Sequence, residues 1–459
     1  MYRTDTIAAI STSLGNSGIG IVRISGEDSI QIADKIFRSV KNGKKLKDVP
    51  SHTIHYGNII DGDNIIDEVL VMVMKEPNTY TRENIVEINC HGGALVMKKV
   101  LNLALRNGAR CADPGEFTKR AFLNGRIDLS QAEAVINVIN AKNNMALDVS
   151  LKQLKGSISN VVINIRKEIL HEMAYIESAL DDPEHYHMDN YGEELKPKIL
   201  NLKNRLQKLL DTADNGRIIT EGIRTVILGK PNVGKSSLMN FLLGEDRAIV
   251  TDIAGTTRDI LEENIRIDDI SLNIIDTAGI RDTNDVVEKI GVKRAKELAH
   301  SSDFIIMLLD SSAPLDEDDK EIIKLIEDKK AVVLLNKSDL KTVTDEKEVR
   351  MYTDKEIINV SVKNEVGIEK LTELIKKMFY SGDITFNDEV YLTNERHKHA
   401  IYESIGSLDL VLESIESGMP EDFLTIDLMN TYETLGSIIG EQMGEDLVNE
   451  IFSKFCMGK

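Results

Sequence analysis

The segment Gly229-Lys-Pro-Asn-Val-Gly-Lys-Ser236 limits what this chain can fold into more than any other. It fits the pattern G-x-x-x-x-G-K-[ST], whose backbone N–H groups bind phosphate between a strand and a helix. The apolar run 225–228 predicts a buried strand before it, and the apolar spacing over 237–243 predicts an amphipathic helix after it. We therefore expect an α/β domain that binds a nucleoside triphosphate, with Lys235 at the β and γ phosphates and Ser236 on magnesium.

A second motif, Asn336-Lys-Ser-Asp339, indicates which base the domain binds. The Asp339 carboxylate can accept hydrogen bonds from N1–H and the 2-amino group of guanine, and adenine has no such pair of donors. The segment Ser361-Val-Lys363 follows the next predicted strand, where its backbone N–H groups would complete the base pocket. Two further segments fall in the expected order, Thr256-Thr257 as the switch threonine and Asp276-Thr-Ala-Gly279 for magnesium and the γ phosphate. This order of elements predicts a GTP-binding domain.

The residue after Asp276-Thr-Ala-Gly279 differs from that of Ras-like proteins, which carry a glutamine there to orient the attacking water. Here it is Ile280, which has no hydrogen-bonding side chain. The hydrolytic group must come from a partner or from later in the segment, where Glu288 is the best carboxylate. From position alone, a solvated helix face is an equally good interpretation of Glu288. Asn232 adds a side-chain oxygen inside the phosphate loop, where it could bind a monovalent cation that neutralises transition-state charge.

The phosphate loop lies late in a chain of 459 residues, a length that predicts two to four domains. Residues 1–120 predict an α+β domain, with strands at 20–24, 69–74 and 85–89 and helices at 28–37 and 93–107. Helical patterns fill 128–180 and about 193–213, and they return after residue 389. We predict a helical domain in two parts, 121–221 and 381–459, with the nucleotide domain inserted at 222–380.

Composition narrows the class of protein further. The net charge of −20 argues against a grip on nucleic acid over the whole surface, although a local basic patch is compatible with it. The three cysteines, Cys90, Cys111 and Cys456, have no metal-binding spacing and fit a reducing compartment. No apolar stretch is long enough to span a bilayer, and the first residues lack a signal peptide's apolar core. We expect a cytoplasmic protein with no membrane partner.

Longer motifs carry a resemblance to a known family. The phosphate loop with Ser237, the segment 248–259 and Asp276-Thr-Ala-Gly-Ile-Arg281 resemble the potassium-activated GTPases. Outside that block, Glu87-Ile-Asn-Cys-His-Gly-Gly93, the segment 114–133 and Phe455-Cys-Met-Gly-Lys459 resemble one group of them, the tRNA modification GTPase MnmE (TrmE) family. The resemblance covers the whole chain. Met457 stands where the family often has isoleucine or leucine, an apolar exchange of similar volume.

This resemblance implies an architecture, a reaction and partners. The architecture is an α+β tetrahydrofolate-binding-like domain followed by an α-helical domain with an inserted Ras-like G domain. The reaction is GTP hydrolysis that, with an FAD-dependent partner similar to MnmG (GidA), adds a carboxymethylaminomethyl-type group at C5 of the wobble uridine, position 34, of certain tRNAs. The chain would form a homodimer, and a heterotetramer with that partner. The cofactors would be Mg²⁺, K⁺ and 5-formyltetrahydrofolate or a related folate.

The resemblance also assigns roles to individual residues. It assigns magnesium to Ser236 and Thr257, and potassium to Asn232, Thr251, Ile253 and Thr256. It assigns folate to Arg23, Glu87, Arg126 and Lys459, the orientation of water to Glu288, and a role near the tRNA base to Cys456. The predicted GTP contacts are Asn232, Val233, Gly234, Lys235, Ser236, Ser237, Thr251, Asp252, Ile253, Ala254, Gly255, Thr256, Thr257, Asp276, Thr277, Ala278, Gly279, Asn336, Lys337, Asp339, Ser361, Val362 and Lys363.

Taken by themselves, the residues outside the G domain leave alternatives open. Arg23 and Arg126 could pair with the glutamate carboxylate of a folate or form surface salt bridges, and Cys456 could be a mobile terminal residue. Glu87 in an apolar strand is more specific, because a buried carboxylate needs a partner. Two other functions stay open: a G protein that times ribosome assembly, and a helical scaffold for a partner. Glu87, Arg126 and the terminal Cys-Met-Gly-Lys favour base chemistry, since a pure switch does not need them.

Overall fold

The computed structural model describes residues 5–41, 43–182, 185, 190–244, 263–267, 270–275, 291–380, 390–455 and 458. The chain divides into two compact units. The first comprises Met1–Ile139, Lys152–Asn204 and His399–Lys459, and the second comprises Asn140–Leu151 and Arg205–Lys398.

A seven-stranded sheet forms the N-terminal part of the first unit, in the order β3-β4-β5-β6-β2-β1-β7. Neighbouring strands are antiparallel except β1 and β7, which are parallel. The strands are β1 (Ile7–Ile10), β2 (Ser17–Ser25), β3 (Phe37–Ser39), β4 (Thr53–Asp61), β5 (Asn64–Met74), β6 (Ile85–Gly92) and β7 (Arg110–Cys111).

Two helices cover one face of this sheet, α1 (Ser29–Ile36) and α2 (Ala94–Arg106). In α2 the buried residues are Met97, Val100, Leu103 and Ala104, the three- and four-residue spacing of one helix face. They share a core with inward-facing strand residues such as Val71 and Ile88. The opposite sheet face is more open, because alternate residues of a strand point to opposite sides and Leu70 is 47% exposed.

The rest of the first unit is helical. The helices that follow the sheet are α3 (Glu116–Leu123), α4 (Leu129–Asn140), α5 (Asn144–Leu154), α6 (Ser157–Asp181), α7 (Tyr191–Asp211) and α8 (Ala213–Glu221). Of these, α8, most of α5 and the end of α7 belong to the second unit. Near the C-terminus they are α14 (Glu395–Glu416), α15 (Glu421–Ile439) and α16 (Glu445–Ser453). Helix α6 packs on α15 through Arg166, whose guanidinium lies 3.9 Å from the Tyr432 ring centroid and donates to the Tyr432 carbonyl (3.0 Å).

The second unit is built on a six-stranded sheet in the order β13-β12-β11-β8-β10-β9. All neighbours are parallel except β9 and β10, which are antiparallel. The strands are β8 (Ile223–Leu228), β9 (Glu263–Ile267), β10 (Ile270–Ile274), β11 (Phe304–Asp310), β12 (Ala331–Asn336) and β13 (Glu356–Asn359). The helices after β8 are α9 (Lys235–Leu242), α10 (Gly291–Ser301), α11 (Glu317–Leu325), α12 (Glu346–Val349) and α13 (Ile368–Tyr380).

Separate apolar clusters lie on the two faces of this parallel sheet, one containing Ile306 and Leu334 and the other Ile305 and Val333. Burial on both faces explains why the strands are continuous apolar runs. The predicted fold class is confirmed: a P-loop α/β domain interrupts a helical domain and follows an α+β domain. The boundaries at 120, 221 and 380 stay predictions.

Several local predictions need correction. The helical pattern over 128–180 is three helices, which break at 141–143 and at Gly156, where φ is 89°. The helix predicted to end near residue 213 ends at Asp211, and α8 begins two residues later. Strands β1, β3, β4, β7 and β9 were not predicted. Among the described residues, no helix combines the length and the apolar character needed to cross a membrane.

Candidate functional site

The phosphate loop lies between the end of β8 and the start of α9, as its pattern predicts. Gly229 and Gly234 have φ of 148° and 106°, a region that side chains other than glycine rarely adopt. A Cβ atom at Gly234 would also lie 2.3 Å from Nδ2 of Asn336. Glycine at position 234 therefore lets the phosphate loop and the base motif approach each other closely.

Lys235 points back into this loop. Its Nζ donates hydrogen bonds to the carbonyls of Gly229 (2.6 Å) and Lys230 (2.7 Å). Burial lowers the pKa of Lys235, because a low-dielectric environment disfavours the charged ammonium. Bound phosphate groups would favour the charged form again. The ammonium is thus held inside the loop that is predicted to bind phosphate.

Asn336 connects the phosphate loop to the base loop. Its side chain is buried, its Nδ2 donates to the Val233 carbonyl (2.8 Å), and its Oδ1 accepts from the Val362 backbone N–H (3.1 Å). Asp339 is exposed, and its Oδ1 accepts from the Ser361 hydroxyl (2.6 Å). This hydrogen bond lowers the pKa of Asp339 and keeps the carboxylate ionised. The predicted base residues at 336–339 and 361–363 are therefore brought together beside the loop.

Two lysines of this site, Lys337 and Lys230, pair with carboxylates that were not predicted from the sequence. Asp310 ends β11 opposite Asn336, and its Oδ2 accepts from Lys337 Nζ (2.6 Å). Burial alone would raise the pKa of Asp310, but the hydrogen bonds from Lys337 and Ser312 lower it overall. The signal was available, since Asp310 is the polar residue that closes the apolar run of β11.

Lys230 is the second missed contact. Its Nζ lies 2.6 Å from carboxylate oxygens of both Asp316 and Asp319. These two aspartates form a capping box at the start of α11, and Asp319 is buried. Burial would lower the pKa of Lys230, but the two hydrogen bonds raise it overall, so the ammonium stays charged. These ion pairs link the phosphate loop to the N-terminus of α11.

A polar cluster in the first unit contains three of the four residues that the resemblance assigns to folate. Arg23 on β2 is paired in register with Glu87 on β6, and its Nε donates to Glu87 Oε1 at 2.8 Å. The Arg126 guanidinium lies 4.4 Å from the Tyr80 ring centroid, and that of Arg23 lies 5.5 Å from the same ring. Arg126 Nε is buried and has no hydrogen-bond partner among the described residues. The cluster thus combines an aromatic face, a carboxylate and an uncommitted donor.

Comparisons with known proteins identify the family. Residues 129–456 match the family profile described as the MnmE helical domain, and residues 6–126 match that of the GTP-binding protein TrmE N-terminus. Proteins called tRNA modification GTPase MnmE are 55% identical in Lachnoclostridium phytofermentans and 50% identical in Clostridioides difficile, each aligned over 100% of both chains. The chain belongs to the tRNA modification GTPase MnmE family. The G domain of the T. maritima FeoB iron transporter is also similar, with 23% identity, a TM-score of 0.26, and coverage of 34% of this chain and 97% of that one.

Several residues to which the resemblance to the MnmE family assigns a role lie outside the described residues. These are Thr251, Asp252, Ile253, Ala254, Gly255, Thr256, Thr257, Asp276, Thr277, Ala278, Gly279, Glu288, Cys456 and Lys459. Their roles stay predictions. Asn232 is described: it is exposed and has a φ of 65°.

Metal ligation by histidine and cysteine finds no support in the described part of the chain. It contains no group of three or more His, Cys, Asp or Glu side chains arranged to hold a metal ion. Burial raises the pKa of Cys90 to about 11, so its thiol stays protonated at neutral pH. His91 pairs instead with Asp67, at 2.6 Å between Nδ1 and Oδ1.

Proposed function

We propose that this protein hydrolyses GTP to GDP and phosphate, and that this drives modification of the wobble uridine, position 34, of certain tRNAs. Membership of the MnmE family supports the general function, a GTP hydrolase that acts in tRNA modification. The specific reaction that we propose is the addition of a carboxymethylaminomethyl-type group at C5, which this protein carries out together with a flavin-dependent partner. The observation that best supports GTP as the nucleotide is Asn336, which joins the phosphate loop to the loop that presents Asp339.

The residues of the second unit have distinct tasks in this proposal. Lys235 neutralises the β and γ phosphates, and the loop N–H groups orient them. Asp339 selects guanine, and Lys337, held by Asp310, lies beside it. Magnesium supplies charge neutralisation when bound with the nucleotide, and Ser236 in the first turn of α9, with Thr257, would hold it. Glu288 would orient water in place of the glutamine that Ile280 replaces.

Potassium is the proposed activating cation, with Asn232, Thr251, Ile253 and Thr256 as ligands. We expect GTP turnover to be about tenfold or more faster in potassium than in sodium at equal ionic strength, because a set of oxygens sized for the larger ion stabilises transition-state charge better. Phosphate release in the two salts measures this. Asn232→Ala should remove the difference, and Asn240→Ala on the exposed side of α9 is the matched control. Equal wild-type rates in both salts would exclude the cation site.

A folate such as 5-formyltetrahydrofolate is the proposed ligand of the first unit. The residues fit this class of molecule: Glu87 can accept from an amino-pyrimidine edge, the Tyr80 ring offers a stacking face, and the uncommitted Arg126 Nε can pair with a carboxylate. The folate would donate or accept the one-carbon unit. A fluorescence titration of folate into the purified chain tests this, and no saturable binding would contradict it.

The assembly is proposed to be a homodimer that binds tRNA and an MnmG (GidA)-like FAD-dependent subunit as a heterotetramer, in the cytoplasm. An exposed apolar strip on the sheet supports self-association, since Tyr56 (51% exposed) is paired with Leu70 beside Ile54 (57% exposed). A second copy of the same sheet face would bury this strip. A light-scattering mass equal to one chain of 51.2 kDa at micromolar concentration would contradict the dimer.

The alternative of a G protein switch without base chemistry has less support. Such a protein would not need the cluster of Arg23, Glu87, Tyr80 and Arg126, which lies in a different compact unit from the nucleotide site.

A further inference from the structure

Residues 35–47 concentrate positive charge in a chain whose net charge is −20. The range contains no acidic residue, and its basic residues are Lys35, Arg38, Lys41, Lys44, Lys45 and Lys47. All of these side chains are exposed. The last four follow the end of β3 and form a basic turn at the edge of the seven-stranded sheet.

Contacts with the rest of the unit fix the backbone of the basic turn. Leu46 is buried between its lysines, and the Leu46 N–H donates to Asp34 Oδ1 (2.7 Å). Val49, just beyond the turn, is buried as well. The Lys47 carbonyl accepts a hydrogen bond from Lys75 Nζ (3.2 Å). The turn is therefore an ordered platform whose exposed lysines are presented from a fixed backbone.

The charges of the basic turn are not matched by carboxylates of the protein. None of its four lysines takes part in an ion pair with another described residue. Helix α7 also carries several lysines, but these pair with carboxylates of neighbouring helices: Lys196 with Glu416, Lys198 with Glu172 and Lys203 with Asp409. The basic turn thus keeps its positive charge available to an anion outside the chain.

Strand pairing places the basic turn at a defined distance from the polar cluster of Arg23 and Glu87. A row of paired residues crosses the sheet from Ile54 through Met72 and Glu87 to Arg23. Beside this row, β3 is the outermost strand, three strands from β6. Because neighbouring strands lie about 4.8 Å apart, the edge that carries the turn is roughly 14 Å from Glu87.

An RNA strand fits this arrangement because its phosphates repeat at short intervals and can give each ammonium its own partner. Stacked nucleotides advance roughly 3.4 Å each, so about four of them span the distance of about 14 Å from the turn to the cluster. Lysines on an edge strand also discourage pairing with other strands. That explanation does not cover the basic turn, since its lysines lie beyond the end of β3.

We propose that the basic turn binds the phosphate backbone of the substrate tRNA, about four nucleotides from the base that is modified beside the cluster. This inference rests on the proposed function in taking tRNA as the substrate. Lysine acts as a point charge, and contacts with phosphate carry no sequence information. The turn therefore adds affinity for tRNA without selecting which tRNA is bound.

The salt dependence of RNA binding tests this proposal. Lys41, Lys44, Lys45 and Lys47 are all replaced by glutamine in the full-length protein. Fluorescence anisotropy then follows binding of an end-labelled tRNA transcript with uridine at position 34, from about 50 to 200 mM KCl. We expect at least about tenfold weaker binding at 100 mM KCl, and a slope of log Kd against log [KCl] that is smaller by about 3. An unrelated RNA hairpin should lose affinity by a similar factor, because it carries the same phosphates.

A control variant of equal charge separates the basic turn from the total charge. Lys98, Lys99, Lys155 and Lys167 are exposed lysines elsewhere in the first unit, and their joint replacement by glutamine changes the net charge equally. Its affinity and salt slope should stay close to those of the wild type. Equal losses in the two variants would indicate a general charge effect and overturn the inference. A wild-type slope in the basic-turn variant would overturn it as well.

Further measurements distinguish this inference from other functions of the same surface. If the basic-turn variant bound tRNA normally but no longer bound the flavin-dependent subunit, the turn would be a protein contact and the inference would be wrong. GTP hydrolysis should be unchanged in this variant, since the turn lies outside the nucleotide unit. Absence of tRNA modification by the wild type would overturn the proposed function, and the salt slopes would still decide whether the turn binds RNA.

Discussion

Asp339→Asn is expected to weaken GTP binding about 100-fold and to improve binding of xanthosine triphosphate. The Asp339 carboxylate can accept from both N1–H and the 2-amino group of guanine, whereas an asparagine amide would place its own NH₂ against one of these donors. Loss of a charge-assisted pair costs about 3 kcal/mol, which corresponds to roughly two orders of magnitude in Kd. Xanthine carries a carbonyl at position 2, which the new amide can donate to.

Competition binding with the two nucleotides measures the change. Asp354→Asn is the matched control, an exposed aspartate elsewhere in the same unit. If Asp339→Asn kept wild-type affinity for GTP, the base would be recognised by other residues, and the role assigned to the Asn336–Asp339 motif would be wrong.

Glu116→Gln should lower the free energy of unfolding of the first unit by about 3 kcal/mol at pH 7. Glu116 Oε1 lies 2.6 Å from Arg110 Nη2 and 3.1 Å from Arg120 Nη2, and the Arg120 side chain is only 7% exposed. Removing the Glu116 charge leaves part of the positive charge of the arginines unpaired in a buried network, and this lowers the stability of the folded state. Urea dependence of hydrogen exchange in β1, β2 and β6 measures the first unit by itself.

The effect of Glu116→Gln should depend on pH in a defined direction. Burial alone would raise the pKa of Glu116, but hydrogen bonds from Arg110, the Asp113 N–H and Arg120 hold it below its ordinary value of 4.5. A carboxylate with a depressed pKa stabilises the fold fully above its unfolded pKa, and that contribution is lost as pH falls through the folded pKa. The gap between wild type and variant should therefore close as pH falls below about 4.5. Glu177→Gln on the exposed face of α6 is the control, and a gap that did not change with pH would contradict the ion-pair explanation.

Sequence reasoning was sufficient for the nucleotide site wherever the pattern is local. The phosphate loop, the buried strand before it and Asn336–Asp339 are contiguous, and parallel strands covered on both faces give unbroken apolar runs that are easy to recognise. The contacts of Lys230 with Asp316 and Asp319, and that of Asp310 with Lys337, were not predicted. These residues become neighbours only when the ends of β8, β11 and β12 meet at one edge of the sheet.

The contacts of the first unit were harder to predict from the sequence, because they too join residues that are distant in the chain. Arg120 is buried and pairs with Glu116, one turn before it on α3, but its other partners, Asp5 and Glu83, lie far from it in the sequence and reach it only in the folded unit. The pairing of Arg23 with Glu87 depends on the register of β2 and β6, and a shift of one residue would place these side chains on opposite faces. Sequence pattern found both residues and the resemblance gave them a ligand, but the contacts of Arg23 with Glu87 and with the Gly458 carbonyl required the structure.

Mass analysis of tRNA nucleosides tests the central claim most directly. The full-length protein is incubated with the flavin-dependent partner, tRNA, folate, potassium and magnesium, with either GTP or a non-hydrolysable analogue. We predict a C5-modified uridine at position 34 with GTP, and none with the analogue. Equal modification with the analogue, or none with GTP while GTP is being hydrolysed, would contradict the coupling of hydrolysis to tRNA modification.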